Sequence, residues 1–148
     1  MNTEMIEKMW EHDVIINPNK LDDTSMECAK LHAKYLTLFN NSKTRLRGQE
    51  DTYLKLRHQK WRWYTGKMSK QEMTSLGYPY DPWCGGTKPL KSEQNMYLDV
   101  DEDISKLKLK VEYWKIQMGM LEEILGNIRW RNSTIKNILD FKKFNAGM

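Results

Sequence analysis

Nine Lys or Arg and only two acids lie between Lys43 and Lys70, and from Leu56 to Lys67 the basic residues alternate with rings: Leu-Arg-His-Gln-Lys-Trp-Arg-Trp-Tyr-Thr-Gly-Lys. The segment carries +7 in a chain whose total is +4, which leaves −3 for everything else. Cations that follow phosphates, with flat rings on which unpaired bases stack, are the chemistry of sequence-independent binding to single-stranded nucleic acid. The candidate contact residues are Lys43, Arg47, Lys55, Arg57, His58, Lys60, Trp61, Arg62, Trp63, Tyr64 and Lys67. On one helix Trp61 and Trp63 point about 200° apart, so they cannot share one narrow seam. Trp63 continues an apolar stripe through Leu56, which makes Trp61 the expected exposed platform. The plainer alternative is a solvated basic face whose Trp61, Trp63 and Tyr64 are packing residues.

Other chemistry is sparse. His12, His32 and His58 are scattered, with no Cys or carboxylate at a ligand spacing, so no metal site is expected. Neither a Gly-x-x-x-x-Gly-Lys nor a Gly-x-Gly-x-x-Gly element is present. The acidic run Asp99, Asp101, Glu102, Asp103 precedes a helical pattern, where carboxylates favour the positive helix end. Cys84, in Trp-Cys-Gly-Gly, lacks a Cys-x-x-Cys partner. The sequence therefore reads as a binding protein rather than an enzyme, with no cofactor.

The elements that must carry the basic stretch follow from pattern. At 148 residues the chain is about one domain long. Only 39% of it is hydrophobic and the mean hydropathy is −0.79, as expected of long helices with one buried face. Six Trp and seven Tyr argue against disorder. No apolar run approaches the ~18 residues of a membrane span, and the two cysteines read as reduced thiols. The expected fold is mainly α, a single domain over 1–148. A short N-terminal helix with the extended run Val14-Ile15-Ile16 occupies 1–19. A long basic and aromatic helix follows over 20–64, breakable at Asn40-Asn41-Ser42 or Gly48. A Pro/Gly-rich loop over 65–99 holds Pro79, Pro82 and Pro89, and a heptad helix spans 100–148.

That last helix has the strongest periodicity. Ile104, Leu107, Val111, Trp114, Met118, Leu121, Leu125 and Ile128 alternate steps of three and four, and the seam resumes at Ile135 and Leu139 after polar Asn132. Leu109, Ile116, Met120, Ile124, Ile138 and Phe141 lie off it, so more than one neighbour must cover the apolar surface. Gly119, Gly126 and Ser133, seven apart, form a small-residue column that would let a second backbone approach. The expectation is a homo-oligomer built on these seam residues with Gly119 and Gly126.

Asp13-Val14 followed by Lys20-Leu21, Tyr64-x-Gly66 closing the first long helix, Tyr113-Trp114, Ile135-Lys136, Phe144 and Ala146-Gly147 occur in one order. In these the chain resembles the UvsY recombination mediator family of T-even-like bacteriophages, over nearly its whole length. The resemblance implies a ring-like homo-oligomer that wraps single-stranded DNA and helps a RecA-like phage recombinase load where the phage single-strand-binding protein is bound. It also implies a phage-encoded protein of the infected host's cytoplasm. The family's Lys-Ala-Arg-Leu element, associated with DNA binding, corresponds to His58-Gln59-Lys60-Trp61, so Lys60 keeps a positive charge and His58 departs from the pattern. Two alternatives remain open on the residues themselves: a structural or adaptor coiled-coil protein, and a non-specific single-stranded RNA binder.

Overall fold

The computed structural model describes residues 2–147. Among these there are five α-helices and no strand: α1 Thr3–Asp13, α2 Leu21–Tyr64, α3 Lys70–Leu76, α4 Lys91–Val100 and α5 Glu102–Asn145. The residues fall into two compact units. Unit 1 takes the residues up to Arg45 and those from Trp114 onward, and unit 2 is Leu46–Tyr113. Helices α2 and α5 contribute to both.

In unit 1 the core is aliphatic around one buried tyrosine. Ile6, Tyr35, Leu121, Ile124, Leu125 and Ile128 are buried together, with Met9, Trp10, Leu31, Leu38, Phe39 and Met120 packed on them. Trp10 meets Tyr35 edge-on, the ring centroids 5.4 Å apart. Asn2 caps α1 by accepting from the Met5 amide at 2.9 Å. The other end of α1 is held by buried Arg131, whose guanidinium donates to the carbonyls of Asp13, Val14 and Ile15 at 3.1–3.2 Å. The Asp13 carboxylate accepts from Lys34 at 2.6 Å and from the Tyr35 hydroxyl at 2.9 Å. Burial alone would raise the pKa of Asp13, and these donors together with His12 bring it below its ordinary value.

Helix α2 does not break at Asn40-Asn41-Ser42 or at Gly48. Ser42 is buried and accepts from the Gln117 side-chain amide at 3.0 Å, and Leu46 is buried four residues on. Tertiary packing overrides the low local propensity.

Unit 2 corrects the expectation of a plain loop over 65–99. Ser69 caps α3 by accepting from the Glu72 amide, and Gly77 ends it at φ +75°, a left-handed position suited to glycine. Before α4, the Glu93 carboxylate accepts from the Leu90 amide at 3.3 Å. The core here is aromatic and thioether: Trp63, Met68 and Met73 are buried, with Tyr64 and Tyr78 against them. Trp63 donates its indole N–H to the Pro79 carbonyl at 2.8 Å, which fastens the connection after α3.

Much of the heptad seam is buried within the chain itself. Ile104 and Val111 are buried within unit 2, and Leu121, Leu125, Ile128 and Ile135 within unit 1. Leu107, Trp114, Met118, Gly119 and Gly126 are half-buried, and only Leu139 is exposed. The chain's own helices cover most of what periodicity assigned to other subunits. Gly119 and Gly126 are not sites of close approach within the chain, because a Cβ at either would meet nothing within 4 Å outside the helix. The apolar side chains left exposed on α5 are chiefly off the seam: Leu109, Ile116, Trp130, Phe141 and Phe144.

Candidate nucleic-acid interface

The C-terminal half of α2 positions the candidate contact residues, and packing in unit 2 divides them into two sets. The first is built into the protein. The Lys60 ammonium lies 3.0 Å from the Asp103 carboxylate and 3.4 Å from that of Asp101. It also lies 5.2 Å from the Trp63 ring centre and 4.8 Å from that of Tyr78. Lys60 is only 6% exposed. Burial works against its charge, but the hydrogen bond to Asp103 and the charge of Asp101 outweigh that and raise its pKa.

Asp101 joins this lysine to two other elements. One carboxylate oxygen caps α5, accepting from the Asp103 and Ile104 amides at 3.1 and 3.2 Å, and the other accepts from the Tyr64 hydroxyl at 2.8 Å. Its burial would raise its pKa, yet these donors and Lys60 bring it below the ordinary carboxylate range. Sequence reasoning gave the acidic run only to the helix end and gave Lys60 only to the nucleic-acid surface, without its pairing with Asp101 and Asp103. A cation whose helix face also carries an aromatic core residue three positions away, as Lys60 does with Trp63, was the available signal.

Three further members of the expected set are tied to unit 2 as well. Trp63 is buried and Tyr64 half-buried, their ring centroids 4.8 Å apart. Arg62 forms a two-pronged pair with Glu72 on α3, one arm at 2.8 Å. Arg57 reaches Asp99 at 3.2 Å.

The second set faces solvent. Arg47, Lys55, His58 and Lys67 are exposed, as is Lys43 on the part of α2 that belongs to unit 1. Of these, Lys55 pairs with Asp51 one turn before it at 2.7 Å, whereas Lys43 and Arg47 make no ion pair among the described residues. Trp61 is half-buried and packs on side chains that are themselves exposed. Its ring lies roughly parallel to that of His58 at 6.0 Å, and the Lys67 ammonium stands 4.5 Å from its centre. A base can stack on this ring by displacing one of these two exposed side chains, with Lys67 then at hand for a phosphate. Trp63 and Tyr64 are not available in that way in this conformation, because unit 2 is packed around them.

Sequence reasoning also missed a second ring and cation pair. Lys70, at the start of α3, stands 5.9 Å from the centre of the exposed Tyr80 ring. The Ser69-x-x-Glu72 cap and Gly77 would have revealed α3, and with it this pair.

Comparison with known proteins agrees with this architecture. Residues 9–148 match the family "Recombination, repair and ssDNA binding protein UvsY". The recombination protein uvsY of Enterobacteria phage T4 is 27% identical over 150 residues, covering 99% of each chain. Two crystal structures of the bacteriophage T4 recombination mediator protein UvsY share the fold. One superposes with a TM-score of 0.83 at 24% identity, covering 99% of this chain and 98% of that one. The other gives 0.79 at 21% identity, covering 98% and 99%.

Proposed function

This chain belongs to the UvsY family, and from that premise we propose how it acts as a recombination mediator: it binds single-stranded DNA through the solvent-facing residues of α2 and the turn after it. Family membership over residues 9–148 carries the reading. The Trp61 and Lys67 pair supports it from the geometry. Arg47, Lys55, His58 and Lys67 supply the phosphate-facing surface of unit 2; Lys43, earlier on α2, is an exposed cation of unit 1. Lys60, Trp63 and Tyr64 act at one remove by holding that surface in shape.

The protein works as a homo-oligomer of ring-like form, phage-encoded and acting in the host cytoplasm. Self-association uses the apolar residues still exposed on α5, such as Ile116, Trp130 and Phe144, with Leu139 at the end of the seam. Many weakly cationic subunits then hold one strand by multivalency, and the strand is wrapped. A wrapped strand that a RecA-like recombinase accepts and the single-strand-binding protein does not shifts occupancy toward the recombinase by differential binding.

The test is binding of single-stranded DNA, duplex DNA and single-stranded RNA of equal length across a salt series. Single-stranded DNA should bind with a steep salt dependence and duplex DNA should compete poorly, since it hides its base faces. Trp61→Ala should weaken binding by ~1–3 kcal/mol per engaged base without lowering the melting temperature. It should also fail to relieve the block that single-strand-binding protein places on the recombinase. Equal affinity for duplex would rule out stacking, and a preference for RNA would replace the DNA reading.

A further inference from the structure

Unit 2 presents the same chemistry twice. Trp61 carries Lys67 at 4.5 Å, and Tyr80 carries Lys70 at 5.9 Å. The two lysines are three residues apart, on either side of Ser69, the cap of α3. Tyr80 is 59% exposed although its backbone and its phenol are both anchored. The carbonyl of Pro79 just before it accepts from the Trp63 indole at 2.8 Å. Its hydroxyl shares a hydrogen bond with the Thr74 hydroxyl at 2.8 Å. Just after it, the Asp81 carboxylate accepts from the Trp83 amide at 2.9 Å and the Gly85 amide at 2.6 Å, which fixes the turn. A large ring tethered at its hydroxyl, on backbone fixed before and after it, and still open to solvent loses little freedom when a flat ligand settles on it.

The local charge favours an anion-bearing ligand. Glu72, on α3 beside Lys70, is neutralised by the two-pronged Arg62 pair. Asp81 stays ionised, its pKa brought below the ordinary value by the two backbone amides it accepts from, and its carboxylate is turned to those amides while Lys67 and Lys70 stand on the rings. Lys70 has no carboxylate partner among the described residues.

We propose that Tyr80 with Lys70 is a second stacking step for single-stranded nucleic acid, taking one unpaired base on the ring and a neighbouring phosphate on the ammonium. This rests on the single-strand reading above and extends the path beyond α2, onto α3 and the connection that follows it. Thr74 positions the ring and makes no contact with the strand.

The experiment compares wild type, Tyr80→Ala and Tyr80→Phe on two probes: an oligothymidylate, and the same sugar-phosphate chain with abasic positions throughout. Tyr80→Ala should lose about tenfold in affinity for the oligothymidylate, Tyr80→Phe, which keeps the π face and loses only the bond to Thr74, should lose much less, and all three should bind the abasic chain alike. If Tyr80→Ala fails to fold, Tyr80→Leu, which keeps apolar bulk without a π face, is read in its place. Equal losses in Tyr80→Ala and Tyr80→Phe with lowered melting temperatures would make Tyr80 a fastener of the connection and overturn the proposal. Undiminished binding by Tyr80→Ala while Trp61→Ala is weakened would end the path at Trp61, leaving the function intact and this step wrong. A wild type that binds neither probe would overturn the single-strand reading itself.

Discussion

Unit 1 and unit 2 reach stability by different means. The core of unit 1 is aliphatic, with Leu121 fully buried and Leu125 and Ile128 nearly so, and its polar groups serve mainly to cap and tie α1. The core of unit 2 is a cluster of rings and thioethers crossed by an ion pair, with Lys60 between Trp63, Tyr78 and two aspartates. Unit 1 depends on protonation at the end of α1, where Asp13 accepts from Lys34 and Tyr35 and has a lowered pKa, whereas in unit 2 the titrating pair lies among the core rings themselves. The difference also shows why composition is an ambiguous guide to binding. The same residue types that suggest a nucleic-acid surface, in Lys60, Trp63 and Tyr64, are built into the interior of unit 2.

The comparison can be broken by removing what is most characteristic of each unit. Trp10, Trp114 and Trp130 belong to unit 1 and Trp61, Trp63 and Trp83 to unit 2, so indole proton resonances report on the two separately. The largest effect is expected from Leu121→Asp, which buries an unpaired carboxylate and should cost about 4 kcal/mol or more, with loss of dispersion first at Trp10. Equal loss at Trp63 would make the two units one cooperative block.

A smaller effect, about 2–3 kcal/mol, is expected for Lys60→Ala, which takes the cation away from buried Asp101 while leaving it the Tyr64 hydroxyl and two backbone amides, and leaves Asp103 in partial contact with water. Its signature should be a lowered melting temperature and perturbed Trp63 and Tyr78 resonances. If stability is unchanged and only single-strand affinity falls, Lys60 is a contact residue and the division drawn above is wrong.

The smallest effect is on the pH profile. The pKa of Lys60 is raised in the folded state, so its contribution is complete at neutral pH and is lost as pH rises through that raised value. The pKa of Asp101 is lowered, so its contribution is present at neutral pH and is lost as pH falls through the depressed value. The melting temperature of unit 2 should therefore be level through neutrality and fall at both extremes. Asp101→Asn should shrink the acid-side fall. Lys60→Ala should shrink the alkaline one, part of which persists because burial and the bond to Asp101 also raise the pKa of Tyr64. A profile identical in wild type and both variants would sink this account.

Some of this was readable from residues. The stripe of α5 and the apolar positions of α1 follow from spacing, because a helix that buries one face must repeat it. The continuity of α2 was less legible, since the reason it survives Asn40-Asn41 and Gly48 lies on α5, at Gln117, far away in sequence. Helix α3 left signs in Ser69, Glu72 and Gly77, obscured by the prolines that follow. Which cations meet solvent was not legible at all. Lys60 and Lys67 are alike in type and both near tryptophans, and only the return of Asp101 and Asp103 to α2 separates them. For the same reason periodicity detected the seam of α5 but could not say whether its partner was the same chain or another.

The grip of Arg131 on the carbonyls of Asp13, Val14 and Ile15 joins residues 116 to 118 positions apart. Unit 2, by contrast, is one uninterrupted stretch of chain. Its segments are all made before Arg131 is, and contacts between distant residues are slow to close even in a finished chain. Until then Ile6, Tyr35 and Leu38 have no α5 to cover them, so the chain carries an uncovered apolar face on α1 and the early part of α2. Pulse-labelled hydrogen exchange during refolding should record this order, with amides of α3 and α4 protected before those of α1; the reverse order would mean that the early segment of α2 folds against something other than α5.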